Sequence, residues 1–177
     1  MKKTLLGLFL VLGMASFANN KIELKGAYDL GGEYRFEKSS VKGKANAMEV
    51  GAEYRYEVTP GLELGGGVAY QAHKDLKEYK ADMYDSVPVY ATAKYTFDTA
   101  ALVKPYVKGD LGYSINNNDA KDGVYYGVGA GLNINNNFNV DVMYKENKGK
   151  YEIGTKDYKA DYGRVSLGVG YNFNLGN

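Results

Sequence analysis

Cysteine and tryptophan are absent from this 177-residue chain, and proline occurs only three times. Without cysteine there can be no disulfide, no thiolate metal site and no lipid-modified N-terminal cysteine. Beyond the first eighteen residues no apolar run approaches the length a membrane helix needs, so a helical span is excluded. Net charge of one sign is also missing. The chain has 22 basic and 21 acidic residues, and setting aside Lys2 and Lys3 leaves 20 against 21. No nucleic-acid footprint is therefore expected. Tyrosine and glycine, in contrast, are abundant at 18 and 23 residues. Tyrosine favours strands, and dense glycine suits tight turns and crowded sheet faces.

The N-terminus has the pattern of a secretory signal peptide. Lys2 and Lys3 precede an uncharged run from Leu5 to Met14, and the small residues Ser16 and Ala18 follow at cleavage-site spacing. Residues 1–18 are expected to be the signal peptide and residues 19–177 a single mature domain.

Period-two alternation dominates that domain. In the first expected strand Ile22, Leu24, Gly26, Tyr28, Leu30, Gly32, Tyr34 and Phe36 alternate with Lys21, Glu23, Lys25, Ala27, Asp29, Gly31, Glu33 and Arg35. Seven further stretches repeat this, at about Met48–Val58, Leu62–Ala72, Val87–Phe97, Val103–Ile115, Val124–Ile134, Phe138–Tyr144 and Gly163–Phe173. Roughly fifty positions lie on the uncharged faces and none is Asp, Glu, Lys or Arg, although 24% of the chain is charged. Connections alternate in length. Those near Thr59, Thr99 and Asn136 are short, and those at about Glu37–Ala47, Lys74–Ser86, Asn116–Gly123 and Glu146–Asp161 are mostly longer and rich in Lys, Asp and Asn. The expected fold is all-β, an eight-stranded transmembrane up-and-down antiparallel barrel.

Depth along the uncharged face decides which side meets lipid. Tyr54, Tyr56, Tyr95, Phe97, Phe138, Tyr171 and Phe173 fall near the short-turn end, and Tyr34, Phe36, Tyr70, Tyr113, Tyr126 and Tyr144 near the long-loop end. Tyr28 is the exception, nearer mid-height, and two aromatic bands flanking an aliphatic one mark a lipid-facing exterior. The charged face must then point inward. It carries Glu23, Asp29, Glu33, Glu49, Glu53, Glu57, Glu63, Asp110 and Asp141 against Lys25, Arg35, Arg55, Lys94, Lys104, Lys108, Lys145 and Arg164. Enclosed charges need partners, so a packed ionic lumen is expected, with Gly127, Gly129, Gly131, Gly168 and Gly170 making room for long side chains.

The chain resembles small eight-stranded outer-membrane proteins of the OmpA N-terminal, OmpX and Ail/opacity type. Besides the architecture, Ser166-Leu167-Gly168-Val169-Gly170-Tyr171-Asn172-Phe173 matches their C-terminal assembly signal: polar, x, Gly, x, x, aromatic, x, aromatic. The tail Asn174–Asn177 departs from the pattern, since members commonly stop at the aromatic residue. The resemblance implies residence in the cell outer membrane among lipopolysaccharide and other lipids, and contact with the barrel-assembly machinery through the last strand.

Some barrels of this type modify lipid A. That chemistry needs a base beside a nucleophile, and the only histidine, His73, has Asp75 and Ser86 at the borders of the same loop. A solvated loop histidine is the simpler reading, and the His-x-Ser pattern of the deacylases is absent. Glu49, Glu53 and Glu57 are spaced about 13 Å apart along one face, which suits ion pairing better than glycosidase chemistry. Lys148, Lys150, Lys156 and Lys159, with Tyr79, Tyr84, Tyr151 and Tyr158, could contact lipopolysaccharide phosphates or a host surface. The expectation is a monomeric, non-enzymatic barrel without catalytic residues, metal or cofactor, presenting loops for adhesion or envelope integrity. A lipid A-modifying enzyme and a small-solute channel are the alternatives.

Overall fold

In a computed structural model, residues 20–36, 44–45, 47–73, 85–116, 120–153 and 156–175 are described. The expected signal peptide, Asp75, Tyr79 and Tyr84 lie outside them. Eight long strands make up the wall: β1 (Asn20–Phe36), β3 (Ala47–Thr59), β4 (Leu62–His73), β5 (Ser86–Thr96), β6 (Val103–Asn116), β8 (Gly123–Ile134), β9 (Phe138–Ile153) and β10 (Lys156–Asn174). Two short strands, β2 (Lys44–Ala45) and β7 (Ala120–Lys121), extend β1 and β9. Each long strand pairs antiparallel with its neighbours, and β10 pairs with both β9 and β1, which closes the barrel. Closure satisfies the backbone polar groups within the wall, as hydrocarbon surroundings require.

The faces are arranged as the alternation predicts. Leu24, Val50, Leu111, Val128 and Val169 are more than half exposed on the outside, while Glu23, Glu49, Glu53, Arg55, Lys108 and Arg164 are buried within. A soluble barrel would show the inverse. Tyr95, Phe97, Phe138, Tyr171 and Phe173 are exposed toward the short-turn end, and Tyr70, Tyr113 and Tyr144 toward the other. Near the first group Phe138, Tyr171 and Phe173 form a ladder of edge-on rings with centroids 4.9 and 4.8 Å apart.

The short connections use the expected turn chemistry. Gly61 sits at φ 82°, and a Cβ there would lie 2.5 Å from the Thr96 carbonyl oxygen. Its N–H donates to Glu57 Oε1 at 2.8 Å. Asn135 and Asn136 adopt φ of 54° and 61°, which asparagine tolerates better than most residues.

Two expectations are corrected. Glu146–Asp161 is not a loop: β9 and β10 continue through it as a paired hairpin as far as Ile153 and Lys156. Above the bilayer neither face needs to be apolar, so the hydrophobic alternation vanishes while the backbone ladder continues. The same reason explains β2 and β7 inside segments that read as loops. The second correction concerns the top of β1, where a bulge lies between Asp29 and Gly32, with Gly31 at φ 147°. The extra residue reverses the strand's phase. Glu33 and Arg35 come into register with Gly163 and Asp161, and Tyr34 with Tyr162. The unbroken alternation expected from Ile22 to Phe36 is therefore interrupted at the bulge, and the side chains of Glu33, Tyr34, Arg35 and Phe36 lie outside the described residues.

Candidate functional site: the ionic lumen and the membrane-distal rim

The lumen is built in tiers from side chains on the inward register. Toward the short turns, Arg55 on β3 reaches Glu63 at 2.9 Å, Glu23 at 2.5 Å and also Glu53. Its Nη2 also donates to Asn172 Oδ1 at 3.0 Å. Lys21 adds a second cation to Glu63 at 2.5 Å. At mid-height Glu53 receives Lys25 at 2.8 Å, Lys108 at 2.5 Å and the Tyr90 hydroxyl at 2.8 Å. Asp110 accepts from Thr92 at 2.7 Å and lies 3.7 Å from Lys108. Higher still, Glu49 takes Lys145 and Gln71, each at 2.8 Å, and Arg164 approaches Asp29 at 3.1 Å. Asn147 links this tier to Gln71 at 2.9 Å and accepts from Arg164 at 2.8 Å.

Each buried carboxylate among Glu23, Asp29, Glu49, Glu53, Glu63 and Asp110 thus has a basic nitrogen within 4 Å. Lys94 is held differently, by Asn139 Oδ1 at 3.1 Å and the face of Tyr106 at 4.0 Å. Two expected members serve the turns instead. Glu57 caps the Pro60–Gly61 turn, and Lys104, part-exposed, pairs with the exposed Asp98 at 3.0 Å.

Alternation alone did not single out the inward tyrosines. Tyr90, Tyr106, Tyr125 and Tyr162 are almost fully buried, and ring contact joins Tyr90 to Tyr125 at 5.2 Å. Their parity, opposite to the aliphatic residues on the same strands, was the available signal. The expected glycine space is real and partly theirs. A Cβ on Gly131 would meet the Tyr106 ring at 2.5 Å, and one on Gly67 the Tyr90 ring at 2.7 Å. Within the C-terminal motif, a Cβ on Gly168 would lie 2.4 Å from Asp141 Oδ1, and one on Gly170 2.0 Å from Glu23 Oε1. The motif glycines therefore also house lumenal carboxylates.

At the membrane-distal rim, Ser86 is buried and its hydroxyl donates to Asn116 Oδ1 at 2.8 Å. His73 ends β4, two residues beyond Gln71, which stands in register with Ser86. Glu49 and Glu53 both lie within ion pairs. Lys148 is exposed, 5.9 Å above the Tyr126 ring, and Tyr144 donates to Glu146 at 2.8 Å.

A family model described as outer membrane protein beta-barrel domain matches residues 5–173. An uncharacterized protein of Pasteurella multocida (strain Pm70) is 24% identical, with 98% of each chain covered. Among solved structures, Neisserial surface protein A is similar with a TM-score of 0.55 and 22% identity, over 87% of this chain and 97% of that one. The outer membrane enzyme PagL gives 0.57 and 15% identity, over 84% and 97%. OprG from Pseudomonas aeruginosa gives 0.53 and 17% identity, over 88% and 96%. At these identities the solved structures establish the fold.

Proposed function

Because the chain belongs to the outer membrane protein β-barrel domain family and resides in the cell outer membrane, we propose that it is a non-enzymatic barrel whose membrane-distal segments engage surface ligands and support envelope integrity. The observation carrying this reading is the lumen. Side chains from opposite walls meet in it, as when Lys145 of β9 reaches Glu49 of β3 and Lys108 of β6 reaches Glu53. A lumen filled in this way leaves the outer surface and the membrane-distal segments as the parts that partners can reach. Export through a signal peptide at residues 1–18, assembly through the Ser166–Phe173 strand and a monomeric state complete the proposal.

Purified protein in planar bilayers is expected to pass no steady, large ion current, and such a current would overturn the closed interior. Protease treatment of intact cells should cleave within residues 146–161, and protection there would overturn the outward orientation. His73→Ala should leave envelope lipids unchanged, and an altered lipid A would restore the enzymatic alternative.

A further inference from the structure

We infer that the barrel wall parts toward the outer leaflet between β4 and β5, at Ala69 and Pro88, and admits an acyl chain to an uncharged layer of the lumen. On this seam the Thr96 N–H donates to the Gly61 carbonyl at 2.8 Å. Hydrogen-bonded pairs recur at every second residue of an antiparallel ladder. Along the unshifted register from Gly61 and Thr96, Ala69 and Pro88 fall on such a position. Proline has no N–H, so the Ala69 carbonyl receives no ladder donor from β5. Pairing accordingly lapses at Ala69/Pro88 and Tyr70/Val87, and resumes at Gln71 and Ser86. Among the described residues, every other pairing between the long strands lapses only where the register shifts. In hydrocarbon an unpaired backbone group is costly, which makes this gap the weak point of the wall.

Side chains hold the seam above the gap. The Tyr70 hydroxyl donates to Asp85, the residue before β5, and serves as a latch where the backbone rungs are missing. Tyr70 belongs to the membrane-distal aromatic band, and Ala69 lies one residue, about 3.3 Å, below it. The gap therefore faces acyl chains just beneath the headgroups. That these belong to the outer leaflet rests on the proposed orientation.

The layer behind the gap carries no charge. Gly51, Ala69, Pro88, Ser114 and Gly123 form one row across β3, β4, β5, β6 and β8. Ala69 clusters with Tyr90 and Tyr125, all three buried. Tiers above and below hold the ion pairs of Glu49 and Glu53, and parting there would bring charge to hydrocarbon. Tyr125 has no hydrogen bond to lose, because its hydroxyl is buried without a partner. Gly127, two residues along β8, gives its ring space to turn, since a Cβ there would approach no atom closer than 3.3 Å. Tyr90 would give up its bond to Glu53 and its contact with Lys25. The ion pairs still close the barrel axis, so lateral entry adds no ion path.

The test uses the full mature chain in phosphatidylcholine nanodiscs, with single cysteines introduced by Ala69→Cys or Ser114→Cys. Both positions are buried on the same row, behind different seams. A bilayer-soluble maleimide stands in for the acyl chain, and should label the first about tenfold faster than the second. In the Ala69→Cys background, Pro88→Ala restores the missing N–H and should slow labelling about fivefold, the effect of one net hydrogen bond. Tyr70→Phe removes the latch and should speed it about threefold. A temperature-dependent gel shift verifies that every variant is folded. Equal labelling at the two positions, or no response to Pro88→Ala, would overturn the lateral opening. So would equally fast labelling of Ala69→Cys by a sulfonated, membrane-impermeant maleimide, which would place the entrance at the aqueous mouth. Labelling of the purified protein does not depend on its orientation in the cell, which surface proteolysis tests separately.

Discussion

At the scale of the residue, Arg55 and the inward glycines govern whether the lumen can close. Arg55 contacts Glu23, Glu53 and Glu63 together. Removing one partner from a buried ionic group leaves charge uncompensated and typically costs about 3–5 kcal/mol. Arg55→Leu should therefore lower stability by about that amount, read from the urea midpoint of the lipid-embedded protein. Glycines should separate by what surrounds them. A Cβ on Gly65 would lie 1.9 Å from the Tyr54 carbonyl oxygen, a backbone atom of the paired strand that cannot turn aside. One on Gly109 would meet nothing within 4 Å. Gly65→Ala should sharply reduce the folded fraction on the gel-shift assay, and Gly109→Ala should leave it unchanged. The sequence marked Arg55 as inward through its parity with Glu53 and Glu57. It could not tell that Glu57 turns to cap Gly61, because parity gives a face and not a partner. The four buried tyrosines were readable by the same parity, but a hydrophobic count credits aromatic residues to the exterior.

At the scale of the element, strand detection by hydrophobic alternation works only where lipid demands it. The expected strands at Met48–Val58, Leu62–Ala72 and Val124–Ile134 agree with β3, β4 and β8 to within two residues at each end. The hairpin at Glu146–Asp161 reads as a loop because the apolar alternation lapses there. The bulge at Gly31 was hidden for a different reason: a single inserted residue reverses phase without altering composition. These extensions stand above the closed wall, so they should be dispensable for it. Replacing residues 149–160 with a two-residue Asn-Gly turn should leave the barrel folded, with an unchanged urea midpoint. A clear drop in that midpoint would show that the hairpin helps to hold the wall together.

At the scale of the whole molecule, the account rests on an inverted protein, with hydrocarbon around its apolar surface and ion pairs at its centre. Most of this was legible because a membrane constrains every outward position at once, and that repeated constraint is what the alternation records. The lack of cysteine leaves the chain free for single-site labelling. The most direct measurement places bimane on cysteine at Leu111, Val128 or Val169, which are exposed outside, and at Thr92, Ser114 or Ser166, which are buried inside. Brominated lipid should quench the first three strongly and the last three weakly. Strong quenching at Thr92, Ser114 and Ser166, with Leu111, Val128 and Val169 shielded, would contradict the lipid-facing exterior.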